Sequence, residues 1–177
     1  YKFGSKLKGI IAVAREQVAE LIGASPSEII FTSCATESNN AAIHAALTAS
    51  PNKRHIITSQ VEHSSVLSYC KAKESEGYRV TYIPVDQDGL LSIAELKNAI
   101  TDDTALVSLM WANNETGVIF PINEISELCR EYNVLFHCDA VQAIGKLPVN
   151  VRTIPIDYMT LSGHKIFAPK GIGVLRI

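Results

Sequence analysis

Short apolar runs alternate with amphipathic stretches along the whole chain, and this alternation limits the possible folds more than any other feature. Strand patterns fall at residues 28–32, 55–59, 79–84, 105–111, 134–138, 156–161 and 173–177. Between them, helical spacing occurs at 7–22, 35–49, 64–76, 92–100 and 122–132. In the first helix Ile10, Val13, Val18, Leu21 and Ile22 fall near one face, and Gly23 supplies the stop. The turn Asp86-Gln-Asp-Gly89 introduces the fourth. Strands joined through helices imply a mostly parallel sheet with helices on both faces, so the fold class expected is α/β. A chain of 177 residues with 47% hydrophobic content fits one domain with a well-buried sheet. Ligands of such sheets gather at the carboxyl ends of the strands. The segments that follow each strand are therefore where chemistry is to be sought.

Composition narrows the classes. A formal net charge of −2 with interspersed signs points to neither nucleic acid nor an anionic membrane as partner. No apolar run approaches the ~20 residues that span a bilayer, and no signal-peptide pattern opens the chain. The four cysteines, Cys34, Cys70, Cys129 and Cys138, form no C-x-x-C pair and read as reduced thiols of a cytoplasmic protein. The chain begins at Tyr1 without a methionine and stops at Ile177 inside a strand pattern, as expected of a piece of a longer protein.

The unusual residues sit at strand ends. After strand 156–161, Ser162 and Gly163 lead into His164 and Lys165. A lysine there can form a Schiff base with a carbonyl cofactor if its surroundings keep the amine neutral. Upstream, strand 134–138 runs into Asp139, with Gln142 three residues on. A carboxylate facing a pyridinium nitrogen keeps that ring protonated and electron-withdrawing. Lys165 with Asp139 is the minimum set for pyridoxal phosphate (PLP); alone, either reads as a solvated lysine or a capping aspartate. Lys170, in a Pro-Lys-Gly turn, is the lesser candidate for the amine.

The other strand ends add weaker pieces. Thr32-Ser-Cys-Ala-Thr36 joins strand to helix, where backbone N–H groups and a hydroxyl make an anion site, or simply an N-cap with Glu37 in the first turn. His63, after strand 55–59, can lie over a pyridine ring and move protons, or merely start a helix. Asn113-Asn-Glu-Thr-Gly117 offers amides to a ring oxygen, or is a turn made of turn-formers. A metal centre lacks the required spacing, because His137 and Cys138 point to opposite faces of their strand. No Gly-x-Gly-x-x-Gly or Walker pattern occurs.

In this order, FTSCATESNN (31–40), VEHSSV (61–66), WANNETGVIFP (111–121), FHCDAVQAIGK (136–146) and SGHKIFAPKGIGVL (162–175) closely resemble the cysteine desulfurases, PLP enzymes of the class V aminotransferase group. The resemblance covers essentially the whole chain. It implies that residues 1–177 are most of a fold-type I large domain, lacking an N-terminal segment and a C-terminal small domain. Ala35, Thr36, Ser162 and His164 would then contact the phosphate and His63 would stack on the ring. Asn114 and Gln142 would reach the ring oxygen, Asp139 the ring nitrogen, and Lys165 would carry the cofactor. The implied reaction of the full-length homodimer removes sulfur from L-cysteine. Lys165 moves the α-proton with His63 as candidate acid/base, and alanine leaves. A cysteine beyond Ile177 carries the persulfide to a sulfur-acceptor or iron–sulfur scaffold protein. A selenocysteine lyase, another class V enzyme, or a non-catalytic cofactor-binding fragment are the alternatives. Cys34 stands where many relatives have glycine; a thiol at a helix N-terminus is activated, but this one lies on the phosphate side rather than near the substrate sulfur.

Overall fold

A computed structural model describes residues 2–177. Helix α1 (Lys2–Ile22) leads through a 3₁₀ turn (Pro26–Glu28) into β1 (Ile29–Thr32), followed by α2 (Ala35–Ala49), β2 (His55–Ser59), α3 (Ser64–Ser75) and β3 (Arg79–Ile83). Then come α4 (Ile93–Ala99), β4 (Thr104–Met110), α5 (Ile122–Glu131), β5 (Leu135–Asp139), β6 (Tyr158–Ser162), a 3₁₀ turn (Gly163–Ile166) and β7 (Gly173–Arg176). The seven strands form one sheet in the order β1-β7-β6-β5-β4-β2-β3. Only β7 runs against its neighbours; it pairs antiparallel with both β1 and β6. The mostly parallel α/β expectation therefore holds, with one reversed strand. That strand follows a turn too short to carry a crossover helix, so it has to double back.

Period-two alternation sends neighbouring residues to opposite faces. Ile57 and Val107 join the larger core with α1, α4 and α5, which contains Ile22, Leu96, Ile125 and Phe136. Ile56 and Leu106 join a smaller core under α2 and α3, built on Ile43, Ala46, Val66 and Cys70. The sheet is thus covered on both sides. The interior strand β4 is buried at every position, which explains why its sequence, Thr104–Met110, is mostly apolar rather than alternating.

Element limits differ from the sequence expectation by a few residues. Helix α1 extends back to Lys2, beyond the apolar spacing that marks it from residue 7, and the added turns are exposed where described. Strand β6 begins at Tyr158 rather than residue 156, since the Asp157 carboxylate accepts the Phe136 N–H at 2.7 Å and starts the pairing there. Strand β5 runs one residue further, to Asp139.

Because β1 and the parallel strands share a direction, Thr32, Ser59, Met110, Asp139 and Ser162 all lie at one edge of the sheet. Gly173, the first residue of β7, pairs with both Thr32 and Ser162 there. A methyl group at position 173 would lie 2.5 Å from Thr32 Oγ1 and 2.6 Å from the Cys34 carbonyl oxygen. The backbone of the β1–α2 connection therefore passes where only glycine leaves room. Gly173→Ala is expected to destabilise by roughly 1–3 kcal/mol, as overpacking does. Its melting temperature, followed by circular dichroism, falls by about 2–4 °C per kcal/mol; an unchanged value removes the close approach from the account.

Candidate active site

The loops at that edge enclose a cavity of about 220 Å³. Of the residues singled out in the sequence, Ala35, Thr36, His63, Asn114, Asp139, Gln142, His164 and Lys165 line it, with Cys34 beside them. Ser162 does not reach the wall. It is buried at the end of β6, and its Oγ lies 2.9 Å from His164 Nδ1. Lys170 is exposed and stands outside the cavity.

Each side chain is delivered by a local device. His164 and Lys165 sit on the 3₁₀ turn after β6, which ends at Phe167 in the left-handed region (φ 65°). Asp139 ends β5, and its Oδ1 accepts the Val141 N–H at 3.1 Å, turning the chain so that Gln142 shares the cavity. His63 caps α3, its Nδ1 accepting the Ser65 N–H at 3.1 Å. The capping reading and the functional reading of these residues thus hold together. Glu37 reaches back to Ser33, taking its N–H at 2.7 Å and its hydroxyl at 2.6 Å. The first turn of an α-helix leaves N–H groups without helical partners, and in α2 this turn is the part that meets the cavity.

Two cavity groups are unusual electrostatically. Asp139 is only 6% exposed, and burial raises its carboxyl above the usual carboxylate range. The Asn39 amide, the Val141 N–H and His63 oppose that rise. Among the described residues no Lys or Arg pairs with it. A cationic N–H entering the cavity would offset the missing solvation. The Cys34 thiol, also in the lining, is lowered, chiefly by the Glu37 N–H, as suits a group at a helix start.

Three more residues complete the frame: Asn39 and Glu62, which sequence reading passed over, and Asn113, whose amide was read there as a ring-oxygen donor but turns away from the cavity. Asn113 is buried; its amide donates to the Val61 carbonyl at 3.1 Å, and its Oδ1 accepts the Glu115 and Thr116 N–H groups at 2.9 Å each. It thereby ties the turn bearing Asn114 to the loop bearing His63. Gly117 closes the turn at φ 76°, a conformation that favours glycine. Asn39 donates to Asp139 Oδ2 at 2.8 Å and to Ser65 Oγ at 2.9 Å. Glu62 is buried, and its Oε1 accepts the Ser59 hydroxyl at 2.6 Å and the Met110 N–H at 3.1 Å. Its other oxygen has no partner. For Asn39 and Glu62 the available signal was position alone, since Glu62 lies next to cavity residue His63 and Asn39 one turn from Thr36.

Burial, with Asp139 nearby, pushes the Glu62 carboxyl up to about 8. The folded protein then keeps a proton that the unfolded chain loses above the ordinary value of 4.5. The unfolded state binds fewer protons across this window, so stability falls as pH rises through it and levels off above the folded value. Glu62→Gln cannot titrate. Its stability relative to the parent is expected to climb between pH 5 and pH 8 by up to about 1.4 kcal/mol per pH unit. Denaturant unfolding at both pH values checks this; an equal difference at each refutes the neutral carboxyl.

Comparison with known proteins places these residues in context. The family profile described as aminotransferase class-V matches residues 1–177. "Cysteine desulfurase 2" of Trichormus variabilis (strain ATCC 29413 / PCC 7937) is 57% identical over the whole chain, which spans 44% of that protein. Among solved structures, one titled "NifS-like protein" superposes with a TM-score of 0.95 at 42% identity, covering 98% of this chain and 48% of the other. "SspA in complex with cysteine" gives 0.96 at 42% identity, covering 100% and 51%. The chain spans about half the length or less of these relatives.

Proposed function

The chain belongs to the class-V aminotransferases and has the fold-type I architecture, and from that premise we propose that it is the cofactor-binding large domain of a PLP-dependent cysteine desulfurase. The observation that carries this reading is the meeting of Lys165, Asp139 and His63, from three separate loops, on one cavity. The residues fit the cofactor. A buried carboxylate without a cation suits a ring nitrogen, and an uncapped helix start with Thr36 and His164 suits a phosphate.

When bound, PLP supplies an aldehyde that an amine can hold covalently and a ring that withdraws electrons from the adjacent carbon. Asp139 holds the ring-nitrogen proton, and Asn114 and Gln142 orient the ring through its oxygen. Backbone N–H groups at Ala35 and Thr36, with the Thr36 hydroxyl and His164, bind the phosphate, and Ser162 fixes His164 from behind. Lys165 would anchor the cofactor and would be the base for the α-proton of L-cysteine, and His63, on the same cavity, would be the second group able to move a proton.

The thiol that accepts sulfur belongs, in this reading, to a segment outside residues 1–177. Cys70 and Cys129 are pushed up to about 12 by burial, and Cys138 is raised by burial too, so none of them is a ready nucleophile. The remaining polypeptide would also supply the small domain. A homodimer is assigned for the full-length protein, supported by Ile10, Ile11, Val13 and Leu21, apolar residues left exposed on α1. The persulfide goes to a sulfur-acceptor or iron–sulfur scaffold protein. A reducing cytoplasmic setting is in keeping with four free cysteines, and no helix among the described residues is long and apolar enough to cross a membrane.

Full-length protein reconstituted with PLP is expected to show a visible absorbance band that borohydride abolishes, and Lys165→Ala is expected to lack it. Retention of a borohydride-sensitive band in the variant removes Lys165 from its role. Cys34→Ser is expected to keep forming persulfide from L-cysteine and releasing alanine; loss of persulfide with cofactor still bound would move the nucleophile to Cys34.

A further inference from the structure

Asn39 lies one turn beyond the cavity-lining part of α2, is fully buried, and does not line the cavity itself. A primary amide offers two N–H donors and one carbonyl acceptor. On the nitrogen side both donors have acceptors: Asp139 Oδ2 at 2.8 Å and Ser65 Oγ at 2.9 Å. On the oxygen side Oδ1 is buried without a partner. An orphaned buried acceptor is destabilising, yet the amide cannot turn over, because its oxygen would then face the Asp139 carboxylate. The orientation is set by what the nitrogen does.

The chain of bonds continues past Ser65. Its hydroxyl, having accepted from Asn39, has its own proton to give, and His63 Nδ1 lies 2.8 Å away. The Ser65 backbone N–H points at the same atom from 3.1 Å. Two donors converge on Nδ1, so the proton of the neutral ring resides on Nε2. Among the described residues no hydrogen bond reaches Nε2.

We propose that Asn39 is a positioning residue: one amide nitrogen aligns the Asp139 carboxylate and, by way of the Ser65 hydroxyl, holds His63 as the Nε2–H tautomer. The proposal rests on the reading that Asp139 pairs with the ring nitrogen and His63 lies over the ring. It deepens that reading by making two loops one unit. The group that fixes charge on the cofactor and the group that moves protons above it are set by a single residue of a third element, and Nε2 is the atom through which His63 exchanges its proton.

Asn39→Asp preserves the shape of the side chain and removes both donors. The new carboxylate takes the Ser65 proton, leaving a lone pair toward Nδ1, and sets like charge beside Asp139. The test uses full-length protein, with ¹⁵N spectra of His63 in the apoprotein and PLP affinity by titration. In the parent, His63 is expected to carry its proton on Nε2. In Asn39→Asp the population moves toward Nδ1–H, and PLP binds at least about tenfold more weakly, as for a lost charge-assisted hydrogen bond. Ser65→Ala keeps the Asn39–Asp139 bond, so its tautomer ratio shifts while its affinity falls less than in Asn39→Asp.

A parent His63 protonated on Nδ1 overturns the proposal, as does an Asn39→Asp protein with parental tautomer and parental affinity. Should Asn39→Asp fail to fold, the parent spectrum and Ser65→Ala decide. A parent that takes up no PLP defeats the functional reading instead, and the apoprotein tautomer still judges the Asn39 network separately.

Discussion

A carboxylate at the end of β5 sets the terms for everything around it. Asp139 is 6% exposed, and a charge so far from water is tolerated only where fixed dipoles or a cation compensate. The chain provides the dipoles: the Asn39 amide from α2 and the Val141 N–H from the turn that follows. Among the described residues no Lys or Arg forms an ion pair with Asp139. A positively charged N–H entering the cavity would complete the interaction, which is what the proposed function asks of its ligand. Lys165, the cavity's own amine, is delivered by a different strand end.

Convergence of the loops is enforced by polar ties rather than by packing alone. Asn113 bonds across to the Val61 carbonyl, Glu62 reaches the Met110 N–H, and Asn39 bridges Asp139 and Ser65. Each tie joins segments far apart in sequence, so the site assembles only when the sheet does. Glu62 shows the cost of this design, for its second oxygen is buried without a partner. A neutral Glu62 carboxyl beside Asp139 avoids placing two buried negative charges together.

The fold and most of the site were legible in the sequence for one physical reason. Parallel strands place all their carboxyl ends on one edge, so chemistry-bearing residues after apolar runs share a neighbourhood whatever their spacing along the chain. Lys165, Asp139 and His63 were found that way, and they do share a cavity. Ser162 was legible as a neighbour of the site but reaches it only through His164. Asn39 and Glu62 were not legible, because a buried amide inside an alanine-rich helix and an acid before a histidine look like ordinary helix residues until tertiary contacts show their partners. The reversal of β7 was hidden as well. It follows from a connection too short to carry a crossover helix, and neither that nor the close approach of the β1–α2 backbone at Gly173 carries a periodic signal.

The same sheet explains why two histidines that invite a functional reading serve the frame instead. His137, two residues before Asp139 on the same face, joins Ser108 Oγ of β4 at 2.8 Å and Thr160 Oγ1 of β6 at 3.1 Å. His55 similarly links Thr104 and Thr81 across β2 and its neighbours, at 2.8 Å each. Burial lowers His137 to about 3 and His55 to about 4, so both rings are neutral and each nitrogen has its partner. A neutral imidazole spanning three strands fixes their relative positions with no charge to solvate. Because Asp139 stands one pleat beyond His137, the strand that presents the carboxylate is held to both neighbours just below the point where its charge emerges. Rigidity beneath Asp139 and an open cavity above it are thus properties of one strand, and together they support reading this edge of the sheet as a binding site.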